Sequence, residues 1–186
     1  MGRTYLFIFY FVFCLSTPTS AAQIKDLVFP DQRSVAGTEL ILNGLAMRTF
    51  TFFDVYAAAL YLDTARTSPA AILEQDRPRA MVMHFLRTVE KDKVASAWQD
   101  GLAANTPGAS DSLRDRFAVL GTMMETMNPG ETLECLYDPA AGTTVVVKGH
   151  VSGLIEGKDF NDALLACWIG PKPGPGEKFR TGLLGG

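Results

Sequence analysis

The feature that most constrains the fold is a long β-prone run over residues 49–62, TFTFFDVYAAALYL. Because successive side chains of a strand point to opposite faces, its two alternating sets meet different surroundings. One set contains Tyr56, Ala58, Leu60 and Leu62, and the other contains Val55, Ala57, Ala59 and Tyr61. Three consecutive alanines are unusual in a strand because alanine fills little volume. They indicate either the close approach of a helix or space left for a ligand. The two interpretations are compatible if the helix forms the other wall of a pocket.

The remaining pattern predicts further strands and separate helical runs. Strands are predicted over residues 80–86, 132–137, 143–148 and 151–155. Helices are predicted from Ser68-Pro69, over residues 91–104 and 111–127, and after Gly157-Lys158. Asn43-Gly44 has the composition of a turn, and the Pro/Gly-rich residues 171–186 are expected to lie over the surface. This order predicts an α+β fold, with helices packed on one face of an antiparallel sheet.

The N-terminus has the pattern of a secretory signal peptide. Arg3 precedes an apolar run over residues 5–15, and small residues stand before an expected cut at Gln23. The run is too short to cross a hydrocarbon layer of about 30 Å, which makes an uncleaved anchor the lesser alternative. We therefore expect residues 1–22 to be removed, leaving residues 23–186 as one soluble domain in the periplasm or outside the cell.

Composition and motifs exclude several classes of function. Apolar residues make up 47% of the chain, which excludes disorder, and its 17 basic side chains form no run that would predict binding to nucleic acid. The common catalytic signatures are absent from the sequence. His84 and His150 have no spaced metal-binding partner, and His84 is more simply a hydrogen-bonded sheet residue than a catalytic one. We therefore predict no metal, no other cofactor and no catalytic residue, and a protein partner stays undefined.

Two cysteines, Cys135 and Cys167, remain after residue 22. An oxidising compartment permits a disulfide between them. Both positions could also face the core, one from a predicted strand and one from a predicted helix. A disulfide and two buried thiols are therefore both open.

Arg48 directly precedes a strongly apolar strand. An arginine beside a sheet core must reach solvent, or meet an anion or a hydrogen-bond partner. Its guanidinium can hold a carboxylate or a phenolate through two parallel bonds, and Tyr56 can add a phenolic hydroxyl. The residues alone leave two interpretations open: a ligand-binding pair, or an edge arginine that reaches solvent and a tyrosine of the core.

The order and spacing of several motifs resemble the chalcone-isomerase-like family. Residues 37–62 resemble its G-x-x-L-x-L-x-G-x-G-x-R segment and the K-V-Y-x-A-x-L-Y-L strand that follows. The matching residues are Gly37, Leu40, Leu42, Gly44, Arg48, Val55, Tyr56, Ala57, Leu60, Tyr61 and Leu62. Trp98, Gly101 and Asn105 match its central helix, and residues 153–160 resemble its G-x-I-x-G-x-D-F segment. The resemblance covers nearly all of residues 23–186.

This resemblance implies an open-faced β-sandwich, in which a large antiparallel sheet and a helical layer enclose a cleft. The plant enzymes of the family cyclise a chalcone to a flavanone, whereas other members bind fatty acids and hold the carboxylate with an arginine and a tyrosine. Arg48 matches the arginine of both groups, and Tyr56 falls where the fatty-acid binders have tyrosine. Lys93 aligns with a lysine of the enzymes, but Glu90 and Ala97 stand where the enzymes have tyrosine and asparagine.

The resemblance therefore implies binding of a small amphipathic anion through Arg48 and Tyr56, with a fatty acid as the leading candidate. One alternative is an isomerase, of the intramolecular lyase type, that acts on a phenolic or other conjugated substrate. The other is a partner-binding domain without a small ligand, which a filled cleft would favour.

Overall fold

The computed structural model describes residues 21–186, which contain nine strands and five helices. The strands are β1 (Ala21–Ile24), β2 (Leu27–Pro30), β3 (Gln32–Val35), β4 (Thr38–Phe50), β5 (Phe53–Leu62), β6 (Arg79–Phe85), β7 (Thr132–Asp138), β8 (Gly142–Val147) and β9 (His150–Ile155). The helices are α1 (Pro69–Glu74), α2 (Lys91–Asn105), α3 (Asp111–Thr122), α4 (Lys158–Ile169) and α5 (Glu177–Leu183). The predicted signal peptide lies outside the described residues, apart from Ala21 and Ala22 at the start of β1.

Seven strands form one antiparallel sheet, in the order β3-β4-β5-β6-β7-β8-β9. Every strand of this sheet pairs with its neighbours in sequence, and α2 and α3 together connect β6 to β7. Strands β1 and β2 form a separate two-stranded sheet. The predicted α+β class is confirmed, because an antiparallel sheet and a layer of helices make up the fold.

Two apolar cores lie on the two faces of the large sheet. The larger core joins the sheet to the helices and contains Ala58 and Leu60 of β5. The smaller core contains Ala57 and Ala59, together with Phe29 of the β1–β2 hairpin. The alternation predicted for β5 is therefore confirmed. Of the three alanines, only Ala58 faces the helices. Ala57 and Ala59 instead face the β1–β2 hairpin, so the predicted close approach of a helix applies to Ala58 alone.

A turn divides the apolar run of residues 49–62, which was predicted as one strand. β4 ends at Phe50 and β5 begins at Phe53, and these two residues pair across the hairpin. The intervening Thr51 has a φ of 54°, a left-handed conformation that β-branched residues rarely adopt. The prediction was wrong because the loop, Thr51-Phe52, carries none of the Gly, Asn, Asp or Pro residues that usually mark a turn.

Asn43 and Gly44 lie inside β4, and the prediction of a turn there was wrong. The pairing of β4 with β5 shifts by one residue at this point, as in a β-bulge. A Cβ atom at Gly44 would collide with the carbonyl oxygens of Gly182 and Leu183. The glycine therefore permits a close backbone contact rather than a change of chain direction.

The C-terminal segment, residues 171–186, is not the surface tail that was predicted. It contains α5, whose Phe179 and Leu183 are almost completely buried in the larger core. These two residues are four positions apart and so share one helix face, but the pattern is too short to stand out within a Pro/Gly-rich stretch.

The other helices agree more closely with prediction. Ser68 caps α1 through its side-chain oxygen, which accepts a hydrogen bond from the Ala71 N–H at 3.4 Å. The helix predicted over residues 111–127 ends early, at Thr122, because Met127 pairs with Val89 in a short β-bridge. Within residues 21–186, no helix is both long enough and apolar enough to span a membrane.

Cys135 and Cys167 are both free and buried. Burial raises the pKa of each thiol to about 12, which keeps both groups protonated and poorly nucleophilic near neutral pH. Of the two alternatives, a disulfide and two buried thiols, the structure contains the two buried thiols.

A buried arginine ties the helical layer to the sheet. Arg79, at the start of β6, is only 4% exposed. Its guanidinium donates hydrogen bonds to Asn161 Oδ1 and, at 3.0 Å, to the Ile72 carbonyl oxygen, and it forms an ion pair with Asp162. It also lies 5.1 Å from the ring centre of Tyr137. One charge thus connects α1, α4, β6 and β7.

We expect Arg79→Met to lower the free energy of unfolding by at least ~2 kcal/mol, because buried acceptors lose their donor and Asp162 loses an ion-pair partner. Denaturant unfolding measures the change. The control is Arg114→Met, at an exposed position of α3, which should shift the value by less than ~0.5 kcal/mol. Similar losses for the two variants would contradict the role given to Arg79.

Candidate functional site

The two predicted ligand-binding residues are direct neighbours. Arg48 of β4 pairs with Tyr56 of β5 across the strands. Tyr56 packs against the larger core on the helical side of the sheet, and Ala46 of β4 belongs to the same core. Because residues two apart on a strand share a face, Arg48 also points to the helical side. The fold therefore brings the pair together, near the hairpin turn at Thr51-Phe52.

Arg48 is half-buried, and its guanidinium contacts the protein backbone. Its Nη1 donates a hydrogen bond to the carbonyl oxygen of Gly174 at 2.7 Å. Among residues 21–186, Arg48 takes part in none of the ion pairs. A neutral carbonyl neutralises no charge, so the guanidinium can still bind a carboxylate in place of this carbonyl.

Tyr56 lies in an aromatic environment. Its ring centre is 5.5 Å from that of Phe85 and 5.7 Å from that of Phe179, the latter edge-to-face. Burial raises the pKa of Tyr56 to about 12, and the Trp168 indole and the Arg48 charge oppose this effect only partly. The hydroxyl is therefore neutral at ordinary pH and can donate a hydrogen bond to an anion.

The C-terminal segment covers this pair and is anchored on two sides. Asn105 of α2 donates to the Lys172 carbonyl oxygen at 2.9 Å and accepts from the Lys172 N–H at 2.8 Å. Asn43 of β4 donates to the Leu183 carbonyl oxygen at 2.8 Å. Together with the bond from Arg48 to Gly174, these contacts hold the segment across the end of the sheet.

The interior between sheet and helices is filled. The cavity that Leu60, Cys135 and Trp168 help to line measures only about 10 Å³, whereas small-molecule sites usually measure about 300–1,000 Å³. A larger depression of about 470 Å³ includes Tyr137 and Lys158, contains neither Arg48 nor Tyr56, and is open to solvent. An acyl chain at Arg48 and Tyr56 therefore needs space that protein side chains occupy in this structure.

An unpartnered donor lies behind the pair. Trp98 of α2 is only 5% exposed, and its Nε1–H has no hydrogen-bond partner in the described part of the chain. Its ring packs edge-to-face on Trp168, with the ring centres 5.2 Å apart. A buried donor without an acceptor is unfavourable by about 1–3 kcal/mol.

Other residues considered from the sequence lie away from the pair. His84 belongs to β6, and its ring packs edge-to-face on Phe29 of the β1–β2 hairpin at 4.9 Å, on the opposite face of the sheet. Desolvation lowers its pKa. Lys93 and Ala97 are exposed on α2, so the positions that align with polar groups of the enzymes do not face Arg48. Residues 21–186 contain no group of three His, Cys, Asp or Glu placed to bind a metal.

Sequence reasoning missed the contacts that the C-terminal segment supplies. Phe179 carried only the weak signal of its four-residue spacing from Leu183. Gly174 contributes a backbone carbonyl, for which its residue type gives no signal. Trp168 lies near Tyr56 only because of how α4 crosses the sheet, which no local pattern gives.

Comparisons with known proteins agree with this architecture. A family model described as chalcone isomerase-like matches residues 21–185. No curated protein gives a match. The structure is similar to the crystal structure of a fatty-acid binding protein from Arabidopsis thaliana, with a TM-score of 0.68, 16% identity, and coverage of 89% of this chain and 96% of that chain. Such a low identity shows a shared fold alone, but the family model matches nearly every described residue, and the protein therefore belongs to the chalcone isomerase-like family.

Proposed function

We propose that the protein binds a small amphipathic carboxylate, of the fatty-acid class, at Arg48 and Tyr56. The observation that carries the proposal is the half-buried guanidinium of Arg48, which lies beside a tyrosine and has no ion-pair partner within residues 21–186. A guanidinium and a carboxylate match in geometry and charge. The fatty acid in the name of the similar Arabidopsis protein supports the same ligand class.

Binding in this way requires part of the C-terminal segment to move. Phe179 packs on Tyr56, and Gly174 accepts the hydrogen bond of Arg48. A ligand carboxylate would replace the Gly174 carbonyl, and the start of its acyl chain would take the place of the Phe179 ring. The observed affinity would then be the intrinsic affinity reduced by the free energy of this displacement.

The filled interior favours a second candidate, a partner-binding domain without a small ligand. A cavity of about 10 Å³ holds no acyl chain unless the fold rearranges. An isomerase has less support, because Lys93 and Ala97 lie on the exposed face of α2, away from Arg48. The experiments below separate the first two candidates.

The first test removes the charge of Arg48. We expect Arg48→Met to weaken binding of a long-chain fatty acid by at least about tenfold, because a charge-assisted hydrogen bond contributes ~1.5–3 kcal/mol. Arg48→Lys should restore affinity only in part, since an ammonium group cannot form the two parallel bonds. Calorimetric titration with the acid and with the alcohol of equal length measures both effects.

Arg114→Met, at an exposed position on α3, is the matched control and should leave both affinities unchanged. The proposal fails if Arg48→Met weakens the acid and the alcohol equally.

The second test opens the space that Phe179 fills. Phe179→Ala should raise the affinity for the fatty acid by about tenfold, because the ligand no longer displaces a buried ring. The same change should lower the free energy of unfolding by ~3–5 kcal/mol. Phe117→Ala removes an equally buried ring, packed on Phe160 at 5.2 Å, and should cost similar stability without raising affinity.

If neither the wild type nor Phe179→Ala binds any fatty acid of a panel, and native mass spectrometry finds no copurified ligand, the partner-binding candidate is favoured instead.

The third test concerns the protonation state of Tyr56. Its pKa of about 12 lies above the ordinary value of 10.0, so the neutral form favours the folded state. This contribution is present below about pH 10 and is lost as the pH rises toward 12. Between pH 8 and about pH 11, the wild type should therefore lose stability relative to Tyr56→Phe. Unfolding midpoints measured over this range that fall in parallel for both proteins would contradict a neutral, partly buried Tyr56.

A further inference from the structure

Three phenylalanines are exposed together at the β4–β5 hairpin, which we call the aromatic tip. Phe50 is 66% exposed, Phe52 is 91% exposed and Phe53 is 52% exposed. Phe50 and Phe53 pair across the strands and Phe52 lies in the loop between them, so the three side chains are contiguous. Clustered apolar side chains of this kind usually mark an interaction surface.

The folded state does not account for the aromatic tip. These side chains belong to neither of the two cores. The loop between them is strained, because Thr51 adopts a left-handed φ of 54° that glycine or asparagine would adopt at lower cost. A solvent-facing turn is ordinarily polar, so an aromatic turn points to a role in recognition.

Cations surround the aromatic tip. The Arg87 guanidinium lies 4.3 Å from the ring centre of Phe53, and Arg48 is two residues from Phe50. The carboxylate next to the aromatic tip, Asp54, forms an ion pair with Lys25. The charged groups that contact the hairpin are thus mainly positive, and at physiological salt the net negative charge of the whole chain is screened beyond about 8 Å.

We propose that the aromatic tip inserts into the surface of an anionic phospholipid bilayer. Aromatic side chains flanked by Lys and Arg are suited to the boundary between headgroups and acyl chains, and anionic headgroups complement Arg48 and Arg87. The three side chains expose roughly 400 Å² in total, at ~200 Å² for each phenylalanine. A stable protein interface needs ~800 Å² on each partner, so a convex tip of this size favours a lipid surface over a protein partner or a second copy.

This inference does not depend on ligand binding at Arg48. If both proposals hold, β4 and β5 bring the bilayer surface to within a few residues of the Arg48–Tyr56 pair.

The first experiment places a fluorescent reporter at the aromatic tip of the full chain. Trp98 and Trp168 are both buried, so their emission should respond little to vesicles. Phe52→Trp and, as the matched control, Val151→Trp each add an exposed indole, since Val151 of β9 is 71% exposed. The vesicles are made of phosphatidylcholine and phosphatidylglycerol, of which phosphatidylglycerol makes up about a third. They are prepared once with ordinary and once with brominated acyl chains.

We expect the Phe52→Trp emission to shift to the blue and to be quenched by brominated lipid, while Val151→Trp shows neither change. Both reporters share the apolar residues 5–15, so any binding through that segment affects them equally. Equal quenching of the two reporters, or quenching of neither, overturns the proposal.

The second experiment measures affinity by vesicle sedimentation with variants that should fold normally, because the changed residues are exposed. Phe52→Ser should weaken binding by at least about tenfold, whereas Val151→Ser should not, because only the tip side chain leaves water. Arg87→Gln should weaken binding to anionic vesicles but not to pure phosphatidylcholine.

Equal losses for Phe52→Ser and Val151→Ser overturn the proposal. The proposal is also overturned if, in the absence of lipid, the wild type sediments as a dimer and Phe52→Ser sediments as a monomer. The aromatic tip would then be an interface between two copies.

Discussion

The buried charge of Arg79 is the constraint on which the arrangement of helices and sheet depends. A guanidinium that is 4% exposed must be paired and hydrogen-bonded, because a buried charge without partners is strongly unfavourable. Its partners come from α1 and from Asn161 and Asp162 near the start of α4. These contacts fix α4 against β6 and β7. Trp168 lies in the last turn of the same helix, roughly 10 Å further along at 1.5 Å per residue. Because the helix is rigid, the contacts of Arg79 also fix the position of Trp168 near Tyr56.

The C-terminal segment completes the core and also occupies the space that the proposed ligand needs. Phe179 and Leu183 complete the larger core, and the close contact of Gly44 with Gly182 allows α5 to lie directly on β4. The hydrogen bonds that anchor the segment run from side chains to backbone atoms, so water or a ligand can replace them when the segment lifts. A ligand that binds only the lifted state must supply the free energy of lifting. The proposed binding therefore requires a second state of the region that is packed in this structure.

Local patterns in the sequence predicted those parts of the fold that local burial determines. The alternation of β5, the capped start of α1 and the hairpin of β7 and β8 were predicted because each depends on residues close in sequence. Predictions failed where distant residues decide the structure. Gly44 looked like a turn residue because its contact with Gly182 joins distant parts of the sequence. The helix α5 was not predicted because Phe179 packs on Tyr56, which is more than 120 positions away. The Arg48–Tyr56 pairing came from a family resemblance, and spacing alone would not have given it.

Arg48 and Arg79 show why sequence alone could not separate a candidate site from a structural charge. In the sequence each directly precedes an apolar run, and in the structure each lies on the helical face of the sheet. Tyr56 pairs with Arg48 and Leu62 pairs with Arg79, so the two arginines lie roughly 20 Å apart at 3.3 Å per residue. Residues 21–186 supply Arg79 with a carboxylate, an amide and a carbonyl group, but they supply Arg48 with a carbonyl group only. A half-buried guanidinium without an ion-pair partner in the described chain interacts favourably with an anion from outside. That difference in partners, rather than residue type or strand position, makes Arg48 the centre of the candidate site.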